Sequence, residues 1–433
     1  MAPLLMDIYE EHLDEASFLW VQWERALVAP NYVLEEVAAL EDRLLAHLDG
    51  LVVGGAPVAR ELLLPALDSE DPPRISAALW AMLAGPGSLE LTELVKRMRA
   101  APEAARAALG RALELNERPE VGEALLPLLN DEAAPLQAWV IEVLASRGQF
   151  LRDNDVELLG HPDARVVVAV LRGRPFLSRD VASRDLPRLL VDSRPGVREA
   201  AILTGMLSGV RAAWEACREA VDARTKVDRT SLVLLALSGE ERDLARLLAC
   251  TGVESVREDA LWALGFSGQV EVAEACLELM GGRPMAALAG EAFSAITGLT
   301  LEGSYVEAEE EGEPLPPLEE DLARELEPRP EDALPVPARA VVAAWWKESR
   351  KDFARGTRYL RGRPFSINVL LEELERGSMR RRHMLALEWA LRSQGTCPLE
   401  TRAFTRRQHS ELARARELCG RLSSSPFPRL SGG

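Results

Sequence analysis

His12, His47, His161, His383 and His409 are the imidazoles of this chain, and their surroundings decide what metal or proton chemistry the sequence encodes. None belongs to an HExxH or HxH pattern and none precedes a Glu. The spacing that sets two zinc ligands and a base on one helical face is therefore absent. Cys217, Cys250, Cys276, Cys397 and Cys419 form no CxxC pair, so they signal neither a zinc ribbon nor a disulfide framework. The first three sit in apolar helical text, where Cys behaves as a small hydrophobe. GxxxxGK[ST], GxSxG and a GxGxxG following a strand are missing as well. Paired carboxylates such as Glu35/Glu36 and Glu240/Glu241 abound among 69 Asp and Glu, and at that density adjacency means a solvated face. His161, in the turn His161–Asp163, reads as a helix-terminus residue. Residue chemistry alone thus predicts no catalytic, cofactor-binding or metal-ligating residue.

One word occurs twice. LRGRPF stands at Leu171–Phe176 and at Leu360–Phe365, with a looser version, RGQFL, at Arg147–Leu151. Arginine beside exposed backbone N–H groups can cradle an anion. Against that use, Pro removes one of the donors such a nest needs. The reading favoured by residue type is a joint, with Gly ending one helix and Pro beginning the next, in both copies.

The elements around that joint repeat. PGVREAAILTGMLSG (195–209) aligns with ESVREDALWALGFSG (254–268) at six identical positions, 59 residues apart. Glycines at 87, 148, 209, 239, 268 and 298 fall on a period of about 30–31. Each unit reads as a short leucine-rich helix, a turn holding Asp, Pro or Gly, and a second helix stopped by the glycine. Turns are expected near residues 68, 101, 131, 163, 193, 225, 254 and 283, with a ninth at 375–380. A hairpin of that size cannot bury its own apolar face, so units must stack. The fold class expected is all-α, an α-solenoid of two-helix HEAT-like repeats, on the order of 80 Å long at the usual helix spacing.

Composition agrees with helices. Aromatic residues make up 5% of the chain while Leu and Ala abound, a poor mix for sheets. Residues 1–60 read as an N-terminal helical cap, 61–300 as the repeat array and 301–338 as an acidic, Pro-rich flexible insert. Residues 339–421 read as a basic C-terminal helical module with a further repeat-like hairpin, and 422–433 as a disordered tail. Between Glu302 and Asp332 there are 13 acidic residues against Arg324 and Arg329. From Arg339 onward 20 Lys and Arg face 9 Asp and Glu, a net of +11, against −29 for residues 1–338. Overall the charge is −18, which disfavours nucleic acid and anionic membranes as partners. The acidic start of the chain and the lack of long apolar runs point to a cytoplasmic protein.

The basic module supplies the candidate partner-binding residues: Trp345 and Trp346, the run Arg380, Arg381, Arg382, and the pair Arg406, Arg407. Two consecutive tryptophans on a helix point about 100° apart, so one is expected to face outward, as an anchor for another protein. A second use of the basic text is internal, against the acidic array.

The VREAALxALG-like second helices and the Asp/Pro turns resemble the short HEAT-like, phycobilisome lyase-type repeats of bacteria. FLWVQWERAL, LEDRLLAHLDGL, AGEAFSAITGLTLEG and the WW plus RYLRGRPF segment resemble more narrowly an uncharacterised proteobacterial HEAT-repeat family, some members of which are encoded near type VI secretion genes. The resemblance implies a repeat scaffold and brings no catalytic residues. HEAT-type di-iron hydroxylases carry repeated His-Glu pairs that this chain lacks, and DNA glycosylases of similar build need a basic groove. The expected function is a non-enzymatic scaffold or adaptor for another protein, to which the resemblance adds an accessory role in a secretion system. The alternative is an enzyme or a small-molecule or chromophore-handling protein, with a pocket assembled on the concave face.

Overall fold

The computed structural model describes residues 5–85, 91–130, 133–149, 153–174, 176–224, 227–237, 240–308 and 329–426. Its fold class is all-α. The cap contains α1 (Met6–Ala26) and α2 (Leu34–Val53), followed by α3 (Gly55–Val58), a π-helical turn over Ala59–Leu63 and α4 (Leu64–Ala66). Next come α5 (Pro72–Ala84), α6 (Leu91–Ala100), α7 (Glu103–Leu115), α8 (Pro119–Leu125) and α9 (Ala134–Ser146). A 3-10 segment, Asp153–Gly160, precedes α10 (Ala164–Arg172), α11 (Arg179–Leu189), α12 (Pro195–Leu207), α13 (Arg211–Asp222) and α14 (Arg229–Leu237). The series continues through α15 (Glu241–Cys250), α16 (Arg257–Leu264), α17 (Val270–Leu279) and α18 (Arg283–Thr297). The C-terminal module holds α19 (Arg339–Ser349), the hairpin β1 (Tyr359–Leu360) and β2 (Arg363–Pro364), α20 (Ile367–Arg376), α21 (Met379–Arg392) and α22 (Thr405–Leu418).

Helix starts follow local chemistry. Pro72 and Pro195 stand at the first position of α5 and α12, where a missing N–H costs nothing. Asp163, Ser178 and Ser366 cap α10, α11 and α20, each side chain accepting from a backbone N–H of the first turn. The second helices of successive hairpins then pack in series: α5 on α7, α7 on α9, α9 on α10, α10 on α12, α12 on α14, α14 on α16 and α16 on α18. Each second helix thus packs on the next along the series. Cys217, Cys250 and Cys276 are buried in it, and burial pushes the Cys276 thiol up to about 12.

The ladder does not present an open ridge. One apolar core runs from Leu13 in α1 to Ala415 in α22 and joins the cap, most of the ladder and the C-terminal module, while a second, from Ala138 to Ala201, fills the layers around α10 and α11. Arginine binds the layers as well. Arg118 donates to Leu83 O in the last turn of α5, Arg147 to Leu113 O of α7, and Arg407 to Ser146 O of α9, at 2.7–2.9 Å. Arg381 and Arg358 donate to Gly265 O and Phe266 O just past α16, and Arg339 to Leu277 O of α17. Each guanidinium satisfies orphan carbonyls at the negative end of a neighbouring helix. That task suits a planar fork better than an ammonium, and only Lys96, Lys226, Lys347 and Lys351 among the 51 basic residues are lysines.

The repeated word folds in two ways. Its first copy ends α10 at Arg172, as expected; Pro175 lies outside the described residues. The second copy is not a helix joint. Leu360 ends β1, and Arg361 and Gly362, with φ of 51° and 76°, form the two-residue turn into β2. Positive φ at both positions is what a type I′ hairpin needs. This turn plugs into the ladder: Arg361 N–H and Gly362 N–H donate to Ala295 O and Ile296 O, and Tyr359 N–H to Gly268 O. Among the punctuating glycines, 148, 209, 268 and 298 take the left-handed conformation, whereas 87 and 239 lie outside the described residues. Gly298 has a second reason to lack a side chain, since a Cβ would stand 2.6 Å from Arg361 O. Gly298→Ala is expected to destabilise the protein by about 2 kcal/mol or more, from left-handed strain plus the clash. Gly303→Ala, with φ 56° and open space, carries the strain alone. Thermal unfolding of the two variants checks the difference, and equal losses would show that the turn does not press on α18.

Of the acidic insert, residues 309–328 lie outside the described residues. Those beside it are tied down: Val306 bridges to Pro337, and Glu331 forms ion pairs with Arg380 and Arg229 at 3.1 and 3.4 Å. At the other end, Ser423 O and Ser425 O accept from Arg392, so the segment expected to be a disordered tail is anchored as far as these residues.

Candidate functional site: a charged cleft between ladder and C-terminal module

The residues expected on a partner surface are mostly inside. Arg380, Arg381 and Arg382 are 6%, 8% and 1% exposed. Arg380 lies between Glu291 and Glu331, at 3.2 and 3.1 Å, with its guanidinium 4.2 Å from the centre of the Trp262 ring. Arg381 stacks on Phe266 at 3.9 Å, and Arg382 donates to Leu374 O and Gln408 Oε1, both at 2.7 Å. Burial lowers both Arg381 and Arg382 to about 10, which leaves them charged at neutral pH. Trp346 is buried and Trp345 half-buried, both against Phe293 with ring centroids 5.4 and 6.1 Å away. Arg407 is half-buried, paired with Glu411 at 2.8 Å. Arg406 alone of this set is exposed. The basic text therefore serves its internal use, holding the module against the rest of the chain.

The module also reaches the cap. Met379 N–H and Arg380 N–H, at the start of α21, donate to Tyr32 O and Ala29 O between α1 and α2. Thr405, which begins α22, gives its N–H and hydroxyl to Glu41 of α2, at 2.9 and 2.8 Å. Trp23 Nε1 donates to the same carboxylate, whose burial raises its pKa despite these donors. His383 closes the seam, its Nε2 at 3.0 Å from Leu27 O and its Nδ1 at 2.6 Å from Thr401 Oγ1.

Between these contacts the module stands off the ladder and leaves a cleft of about 1070 Å³. The ends of α7, α9, α10 and α12 form one wall; Gly395–Ala403 and α22 form the other. Arg147, Gly148 and Gln149, from the loose copy of the repeated word, line the first wall together with Arg172, Gly173 and Arg174 from its first full copy. The recurrence of that word at two neighbouring layers is the signal by which the site could have been found. Glu114, Glu142, Glu400 and Arg414 lacked any such signal, because α7, α9 and α22 are brought together only by folding. Burial raises the carboxyls of Glu114, Glu142 and Glu400, each opposed by a nearby arginine. Arg147 is lowered by burial and by the charge of Arg407.

The lining joins arginine guanidinium and glutamate carboxylate from both walls, with one thiol, Cys397, and no imidazole. Such a surface can bind a polar chain through ion pairs and hydrogen bonds. Among the described residues no three His, Cys, Asp or Glu side chains come together as metal ligands, and no helix is long and apolar enough to cross a membrane. No family model matches the chain, and no curated protein matches it either.

Proposed function

We propose that this protein is a non-enzymatic scaffold or adaptor, and that another protein docks a polar segment in the cleft between the ladder and the C-terminal module. One observation carries the reading: the cleft is lined from both sides by arginine and glutamate. Glu142 and Arg172 come from the ladder and Arg414 from the module, so an occupant would bridge two parts of the chain. The resemblance to a family encoded near secretion genes makes a component of a secretion assembly, in the cytoplasm, the first partner to look for. Arg172→Glu and Arg414→Glu are expected to abolish capture of a partner that the wild type enriches from native lysate. Arg99→Glu, on the exposed outer side of α6, should retain it. Quantitative mass spectrometry of the four samples is the readout, and identical enrichment by all four would refute the cleft as the docking site.

A further inference from the structure

Away from the cleft, α1 and α2 meet along a seam in which an imidazole lies against backbone. His12 in α1 and His47 in α2 bring their Nδ1 atoms to 3.1 Å, with ring centroids 5.1 Å apart and planes inclined at 66°. Gly50 makes the approach possible, because a Cβ there would sit 3.0 Å from His12 Cε1 and Nε2. Glycine inside a helix costs about 1 kcal/mol relative to alanine, and the space it opens here is filled by the ring. Both imidazoles are half-buried, so the seam is reachable from solvent.

Two neutral imidazoles facing each other through Nδ1 can share one proton. They can equally share a metal ion. Tetrahedral coordination at about 2.0–2.1 Å sets ligand nitrogens about 3.3–3.4 Å apart, within a few tenths of an ångström of the separation found. Asp7, Glu10, Glu11, Asp14 and Glu15 surround His12 in sequence on α1 and make the local potential attractive to cations, although Asp14 is partly neutralised by Arg74. Imidazole nitrogen selects copper, nickel and zinc over calcium or magnesium. We infer that His12 and His47 form a two-imidazole site for a divalent ion of the copper, nickel and zinc class, with both Nδ1 atoms as ligands and water completing the shell. Occupied, the site clamps the cap's two helices together; it is independent of any docking in the cleft.

The test uses the untagged full-length protein, titrated with ZnCl2 in a calorimeter and with CuCl2 under electron paramagnetic resonance. One saturable equivalent is expected for the wild type and for His409→Ala, whose imidazole is exposed on α22. Binding should weaken at least about 100-fold in His12→Gln and in His47→Gln, since even groups that merely support a metal ligand are worth 10–100-fold. The wild-type copper spectrum should show coupling to two nitrogens, which decides the matter even where a glutamine variant fails to fold. Absence of saturable binding, binding that survives both glutamine substitutions, or a spectrum without the two nitrogen couplings would overturn the inference.

Discussion

Replacing Glu388 with alanine is expected to lower stability by about 3–5 kcal/mol, the cost of leaving buried charge without its partner. Glu388 is 1% exposed and accepts from Arg358 Nη2 at 2.8 Å and from Arg392 Nη2 at 2.7 Å. Phe365 lies under both guanidiniums, 4.0 and 4.7 Å from its centroid. Burial alone would raise the Glu388 carboxyl, but Arg358 and Arg392 outweigh it and hold the group below its ordinary value. Removal of the carboxylate leaves two positive groups facing each other inside the module. Because Arg358 also donates to Phe266 O, the damage reaches the ladder. Urea titration followed by tryptophan fluorescence reads the loss. Glu388→Gln, which keeps the shape and one acceptor, should lose less, and a change below about 1 kcal/mol in the alanine variant would show that water reaches the arginines.

The second large effect is a pH dependence centred on His383. Burial lowers this imidazole from 6.5 to about 4, against the raising effect of its bond to Leu27 O. Between those values the unfolded chain binds the proton that the folded chain refuses, so stability falls as pH drops through the window. It is fully present above about pH 6.5. From pH 7.5 to 4.5 the histidine should cost about 2–3 kcal/mol at 1.36 kcal/mol per unit. Glu41 and Glu400, whose carboxyls are raised mainly by burial, act in the opposite direction and gain stability as pH falls. Comparison with His383→Gln therefore isolates the imidazole. The wild type should lose more than the variant over this range in denaturant unfolding, and parallel curves would show that His383 titrates normally in the seam.

Much of the architecture was legible because its cause is local. Proline at the first position of α5 and α12, Asp163 as a cap, and left-handed glycines at 148, 209, 268 and 298 are set by a few neighbouring residues. The hairpin boundaries followed from them. The destination of the C-terminal module was not legible, because its contacts join residues far apart in the chain, 116 positions for Arg381 to Gly265 and 364 for Thr405 to Glu41. The second LRGRPF misled for a related reason: the hexapeptide is equally able to close a helix or to turn a hairpin, and Gly268 and Gly298, which follow α16 and α18, choose. Arginine was read as exposed because charged residues seldom enter a core unpaired. A signal was present all the same. Three consecutive arginines in the first turn of α21, with no acid beside them, oppose the helix dipole and need anions from elsewhere. Glu291 and Glu331 provide them.

The hold of Glu41 on Thr405 sets a timetable for the protein's manufacture. At 5–20 residues per second, a ribosome needs on the order of 20–70 s to carry synthesis from the first of these residues to the second. Throughout that interval the nascent cap holds Trp23 and Glu41 without Phe404 and Thr405, which pack against them, and the cap cannot close until α22 has emerged.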